Sequence, residues 1–225
     1  MCGRYVQTKK AREHARKLAA MRAEAAAPRP ETWNLCPSTL SLVVRSREGI
    51  VSADWLSWGI QNEVPLPGFR PINARIESVD SKPTFRDAWQ HRRGVVPVDG
   101  WYEWKTQGKT KQPYYFFRRD GLPIFFGGLW TGDTFCLLTT EANGDLAQIH
   151  DRRPLSLRDE EAGSWISTPP ASPERVVSCA ILPGDIAFHP VSPRVSSPRH
   201  DGPELTQAVS VDKPPEAVQT NLFLG

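Results

Sequence analysis

The chain has 225 residues, 39% hydrophobic and 24% charged, with a formal net charge of +3. That length can bury a core within one domain, and the composition excludes a disordered or fibrous chain. The mild basic excess permits a local nucleic-acid patch without making the whole surface one. Four cysteines, Cys2, Cys36, Cys136 and Cys179, include no CxxC pair, which argues against a zinc site and a disulfide framework.

Residues Thr8 to Ala27, TKKAREHARKLAAMRAEAAA, lack Gly and Pro and predict a helix ended by the Pro28–Pro30 run. Leu18 and Met21 are expected to face the core. Lys9, Lys10, Arg12, Arg16 and Lys17 are expected on a solvated face. Strand signals then dominate, as 21 prolines and eight tryptophans suggest. LSLVVRS (from Leu40) and IVSADWLSW (from Ile50) flank a turn at Glu48–Gly49. GVVPVDGWYEW (Gly94 to Trp104) reads as strand, turn, strand. YYFFRRDGLPIFFGGLW (Tyr114 to Trp130) reads as a hairpin turning at Asp120–Gly121, and TFCLLTT (from Thr134) as a buried strand. A capping box at Ser156 with Asp159 predicts a second helix start. RVVSCAIL and FHPVS read as short strands, and the last residues, from 211, as a loose tail. There is no internal repeat, no Gly-rich phosphate loop, no apolar signal region and no run long enough to cross a bilayer. These features predict an intracellular protein with free thiols, built as a mixed, mostly antiparallel β architecture with a few surface helices.

The chain opens MCGRY. Removal of an initiator methionine ahead of a small residue exposes a Cys2 with a thiol and an α-amine on adjacent carbons. The amine titrates at about 8 and the thiol at about 8.5, so both are nucleophiles near neutrality. An aldehyde condenses with the amine to an imine, and the sulfur then closes a five-membered thiazolidine. A lysine could make the imine but not the ring. By position alone, a small apolar residue at a frayed end is the plainer reading. In PINARIES, extended backbone turns Asn73 and Arg75 to one face, which suits holding a polar group beside a phosphate, or simply an edge strand. Glu103 lies among Trp101, Tyr102 and Trp104, where desolvation would raise its pKa for acid–base work. The same alternation also describes a strand with one wet face. His150 in IHDRRP can pass protons beside Arg152 and Arg153. His189 is the weaker candidate, and His14 and His91 read as surface residues.

Taken in order, MCGRY, NLCPS, Trp58–Gly59, NARIES, DGWYEW, KQPYYF, IHDRRP and HPVS with DGPEL resemble the SOS response-associated peptidase (SRAP) family, from Met1 to about Leu205. The resemblance implies a single α/β (α+β) domain over residues 1–210, built on a curved, barrel-like, mostly antiparallel sheet with a positively charged DNA channel. It implies an enzyme-like shield for abasic sites in single-stranded DNA, with peptidase and lyase-like chemistry. The aldehyde of the opened abasic sugar would be trapped as a thiazolidine crosslink to Cys2. Asn73 would orient the amine and the sugar remnant. Glu103 would transfer protons and assist removal of Met1, and His150 would assist ring opening and reversal. Arg4, Arg75 and Arg152 match arginines that contact the DNA backbone. No cofactor and no metal is implied. The partner is single-stranded DNA with abasic sites, the protein a monomer in the cytoplasm, nucleoid-associated in a bacterium, with no membrane role. Three departures stand out. No Trp follows Trp58–Gly59, which predicts weak preference for junction DNA. Gly94 replaces a frequent cysteine, and Ser196–Ser197 replace a common Asn.

Two other functions fit parts of the sequence. A glutaminase-type N-terminal-nucleophile hydrolase also begins Met-Cys-Gly, and Asn143–Gly144–Asp145 fits it superficially. A non-catalytic basic module would use the first helix as its contact surface.

Overall fold

The computed structural model describes residues 2–19, 29–61, 70–167, 172–178 and 180–211. In chain order the strands are β1 Tyr5–Gln7, β2 Thr32–Leu35, β3 Leu40–Arg47, β4 Ile50–Trp58, β5 Asn73–Arg75, β6 Arg93–Val98, β7 Gly100–Gln107, β8 Thr110–Arg118, β9 Ile124–Thr131, β10 Thr134–Glu141, β11 Arg152–Pro154, β12 Ser156–Leu157 and β13 Ile186–Pro190. The helices are α1 Lys9–Ala19, α2 Pro83–His91, α3 Asp159–Ser167 and α4 Pro173–Ser178.

Two sheets carry the fold. The first runs β13-β8-β7-β1-β2. In the second, β10, β4, β3, β6 and β9 pair in succession, and β9 pairs back onto β10, so five strands close into a ring. Closure leaves those strands no free edge, which is the barrel solution to edge pairing. β5 adds to β10 in parallel and β11 adds to it antiparallel. The expected curved, mostly antiparallel architecture with few helices is the one observed.

Local chemistry explains most elements. The β3–β4 hairpin turns through Glu48 at φ 51° and Gly49 at φ 79°, a left-handed pair that gives a tight return. Gly59, after the Trp58 strand end, has φ 132°, a backbone only glycine adopts without strain. Its N–H donates to Phe135 O at 2.8 Å and locks the Trp58–Gly59 pair to β10. One apolar cluster fills the barrel side under the helices, with Phe85, Trp89, Phe125, Leu129 and Trp165. A second gathers Cys2, Tyr5, Trp58, Trp101, Phe135, Leu137, Leu146 and Ile149 between the two sheets. Gly94 is packed tightly: a Cβ there would lie 3.1 Å from Val43 Cγ1 and from Val44 O.

Several local expectations are corrected. Tyr114–Trp130 is no hairpin. The chain does turn at Asp120–Gly121, with Gly121 at φ 73°, but Leu122 and Pro123 carry it into the other sheet. RVVS is helical in α4, where Pro173 opens the helix and Glu174 stands in its first turn. α3 starts at Asp159. Ser156 belongs to β12, and its hydroxyl donates to Pro154 O at 3.1 Å. His14 is not on the surface. It is buried, 2.7 Å from Asp159 Oδ1, and stacks on Phe125, tying α1 to α3. His91, Lys9, Lys10 and Arg16 are exposed as expected, whereas Arg12 is half-buried and donates to three backbone carbonyls. Leu18 packs against the core, while Met21 and nearly all of the expected tail lie outside the described residues. Among the described residues no helix is long and apolar enough to cross a membrane.

Candidate functional site

The amino-terminal strand brings Cys2 to Glu103. β1 is an inner strand, paired with β2 on one side and β7 on the other, with Tyr5 opposite Trp101 and Val6 opposite Gly100. Tyr102 N–H donates to Arg4 O at 3.0 Å, so the pairing continues toward the amino terminus and runs the chain end along Glu103. Cys2 is fully buried in the cluster of Trp58, Trp101, Leu137 and Leu146. Burial, and then the nearby Glu103 charge, push its thiol well above the usual range. Its Sγ–H points to Arg4 O at 3.7 Å.

Asn73 reaches the same place from the barrel. Trp58 Nε1 donates to Ile72 O at 2.8 Å, and β5 then pairs with Leu137–Thr139 of β10. From this support Asn73 Nδ2 donates to Cys2 O at 2.7 Å. Its Oδ1 is buried and has no hydrogen-bond partner among the described residues. An acceptor held there is unsatisfied until a donor arrives.

Glu103 lies on β7 and is buried. Burial pushes its carboxyl up to about 8, with the positive amino terminus acting the other way. His150 follows the short 3-10 turn Gly144–Gln148, which Leu146 and Ile149 anchor in the shared apolar cluster. Its Nε2 lies 3.9 Å from Glu103 Oε2. Burial, then the amino terminus, lower its pKa, while Asp151 opposes them. Arg152 N–H donates to His150 Nδ1 at 2.9 Å. Glu103 and His150 face a cleft of about 460 Å³ shared with Trp104, Thr106, Lys111 and Ser196.

The three predicted arginines separate. Arg4 flanks the site, its Nη2 donating to Ser196 O at 3.4 Å. Arg75 is exposed and makes no ion pair among the described residues. Arg152, expected to contact the DNA backbone, is tied into the protein. It is buried, and Nη1 and Nη2 donate to both Glu77 oxygens at 2.8 and 2.9 Å. Nη2 also donates to Thr139 O at 2.6 Å, while the buried Nε has no hydrogen-bond partner among the described residues. His189 bonds Thr206 O at 2.8 Å and packs on Tyr115 and Phe117, away from the cleft. No group of three or more potential metal ligands occurs among the described residues.

Some lining residues were not legible in the sequence. In the sequence Trp104 reads only as a neighbour of Glu103. Its Nε1 donates to Ser196 Oγ at 2.9 Å, which turns the indole along the cleft. Ser196 thereby gains a role its sequence position did not suggest, bridging Trp104 and Arg4. Lys111 is exposed on β8 and adds positive charge near His150. Alternation could not have found it: Lys111 pairs with Thr106, whose parity on β7 is opposite to that of Glu103.

The geometry defines a class: an α+β protein in which a buried cysteine near the chain start lies with an amide, a carboxyl of raised pKa and an imidazole. Residues 1–198 match the family described as SOS response associated peptidase (SRAP), and the chain belongs to that family. It is 36% identical to the Escherichia coli abasic site processing protein YedK, over 93% of this chain and all of that one. It is 33% identical to the Bacillus subtilis abasic site processing protein YoaM, covering 79% and 85% of the two chains. It is 29% identical to the Gallus gallus abasic site processing protein HMCES, covering 73% and 58%. A solved phage-related protein of Bordetella bronchiseptica superposes with a TM-score of 0.71 at 27% identity, covering 84% and 94%. A Bacteroides thetaiotaomicron protein superposes with a TM-score of 0.76 at 21% identity, covering 93% and 100%, a likeness of fold alone.

Proposed function

We propose that this protein processes abasic sites in DNA by trapping the ring-opened sugar on Cys2. The observation that carries the reading is the chain of contacts from Asn73 to the buried Cys2, from Cys2 to Glu103 and from Glu103 to His150, the last two lining a cleft. The names of the relatives supply the substrate class.

The chemistry follows from the groups present. Hydrolysis of the Met1–Cys2 peptide bond consumes one water, releases methionine and leaves Cys2 with a free α-amine. The amine adds to the C1′ aldehyde of the open abasic site and forms a carbinolamine. Loss of one water gives an imine. The Cys2 Sγ–H then adds across the C=N bond. Sulfur bonds to C1′, the proton goes to nitrogen, and a thiazolidine results. Glu103, largely protonated at neutral pH because it is buried, donates a proton to the departing hydroxyl. His150, held neutral, gives and recovers protons as the sugar ring opens and as the crosslink reverses. Asn73 fixes Cys2 through its carbonyl and offers Oδ1 to the amine or a sugar hydroxyl. Arg4, Arg75 and Lys111 meet phosphates, which gives affinity without base choice. An abasic site has no base to flip or unstack before the sugar can reach Cys2. The buried thiol argues against the hydrolase reading, because a thiolate nucleophile needs a lowered pKa and this one is raised.

The test is an abasic single-stranded oligonucleotide incubated with the protein and run on a denaturing gel. A shifted band absent in Cys2→Ser is expected, with intact mass showing loss of methionine. No shift with the wild-type protein, or an undiminished shift with Cys2→Ser, refutes the reading.

A further inference from the structure

The Glu77–Arg152 ion pair has no part in the chemistry above, yet it spans the strands that carry it. Arg152 opens β11, and Glu77 lies two residues beyond the end of β5. Both strands pair with β10, where Thr139 stands opposite Arg75 on one side and Pro154 on the other. Arg152 Nη2 donates to Thr139 O at 2.6 Å and to Thr139 Oγ1 at 3.2 Å, besides the bidentate bond to Glu77. The pair therefore clamps, across one strand, the segments that present Asn73 and His150. Bidentate pairing of this kind fixes direction as well as distance.

The clamp reaches the histidine ring through the backbone. Arg152 N–H donates to His150 Nδ1 at 2.9 Å, and the Asp151 carboxylate lies 2.9 Å from the same nitrogen. These partners make opposite demands. The amide needs a bare Nδ1, and the carboxylate needs a protonated one. Asp151 is 83% exposed, so water competes for its carboxylate, whereas Arg152 is buried and held at its far end. The other charged groups among the described residues that act on the ring are Glu103 on the Nε2 side and Lys111. We infer that Glu77 is a positioning residue: through Arg152 it holds the neutral His150 ring with its proton on Nε2, turned toward Glu103 and the cleft. The proton His150 can exchange with substrate is then chosen by a carboxylate that never touches substrate.

The catalytic consequence rests on the proposed abasic-site chemistry, while the tautomer can be measured without it. Ring nitrogen-15 NMR on His150 in the whole protein reads which nitrogen carries the proton. Single-turnover crosslinking to an abasic oligonucleotide, and reversal of the adduct, read the effect. Wild type is expected to show a bare Nδ1 and a protonated Nε2. Glu77→Gln keeps the side-chain shape and removes the charge. It is expected to mix the tautomers and to slow the step served by His150 about 10-fold, the scale of a small misplacement. In a His150→Ala background the same change is expected to alter the rate less than about twofold, because the two act through one ring. Arg152→Gln releases the clamp from its other end and is expected to give the same tautomer shift, with thermal unfolding confirming that both variants fold. An unchanged tautomer in Glu77→Gln overturns the inference, as does equal slowing in the His150→Ala background. Failure of the wild-type protein to form any adduct overturns the proposed function instead, and the tautomer result still decides the role of Glu77.

Discussion

Glu103 offers a stability experiment that is independent of any substrate. Burial raises its carboxyl from an ordinary value of 4.5 to about 8. At about 1.4 kcal/mol per pKa unit, that difference is worth roughly 5 kcal/mol against the charged form in the folded protein. The sign is fixed by linkage. Between these two values the folded state binds the proton more tightly than the unfolded chain, so stability is fully present below about pH 4.5 and is lost as pH rises through 8. Glu103→Gln imitates the protonated side chain and removes the titration. The variant should match wild type within about 1 kcal/mol at pH 5 and exceed it by about 5 kcal/mol at pH 9. Urea unfolding of both proteins at several pH values measures this directly, since midpoints shift while the slope stays constant. The same variant should lose proton-transfer function, so the carboxyl would be kept at a cost in stability. A Gln variant that tracks wild type from pH 5 to 9 would refute the claim that burial sets the state of Glu103.

Asn73→Ala removes the 2.7 Å bond to Cys2 O and should slow adduct formation at least 10-fold with little loss of global stability, as read by gel kinetics beside thermal unfolding. Arg75→Ala should weaken binding to single-stranded DNA of any sequence and reduce the salt dependence by about one phosphate contact, measured by fluorescence anisotropy over a salt series. Arg152→Ala should behave differently. It leaves Glu77 and Thr139 O without their buried partner and should destabilise the fold by roughly 1–3 kcal/mol, seen in denaturant unfolding, before any effect on DNA is considered.

Legibility followed the range of the forces involved. The β3–β4 hairpin was readable because alternation and a Glu48–Gly49 turn act over neighbouring residues. The proposed β8–β9 hairpin failed although its turn formed. Pro123 ends the return, and β9 finds β6, β10 and β12 instead, choices made by sheet closure. RVVS has β-branched residues that favour a strand, but Pro173 and Glu174 supply a helix start that propensity alone outweighed on paper. His14 looked like part of a basic surface because its neighbours are charged. Helical spacing turns it inward with Ala11 and Ala15, onto Phe125 and Asp159.

The sequence by itself determined the chemistry available: a thiol at Cys2, an amide and an arginine sharing a face, a carboxylate among aromatics, and a histidine beside arginines. Their order along the chain also determined the family. Only the tertiary structure decided which of these groups meet. Cys2 lies near Glu103 because β1 is an inner strand against β7, and the segments of Asn73 and His150 arrive there from opposite sides of β10. The same topology withdrew Arg152 from the surface into a clamp with Glu77. The physical reason is one of distance. Bonding capacity belongs to a residue, but burial, pKa and hydrogen-bond partners are set by neighbours that lie tens of residues away until the ring of strands closes.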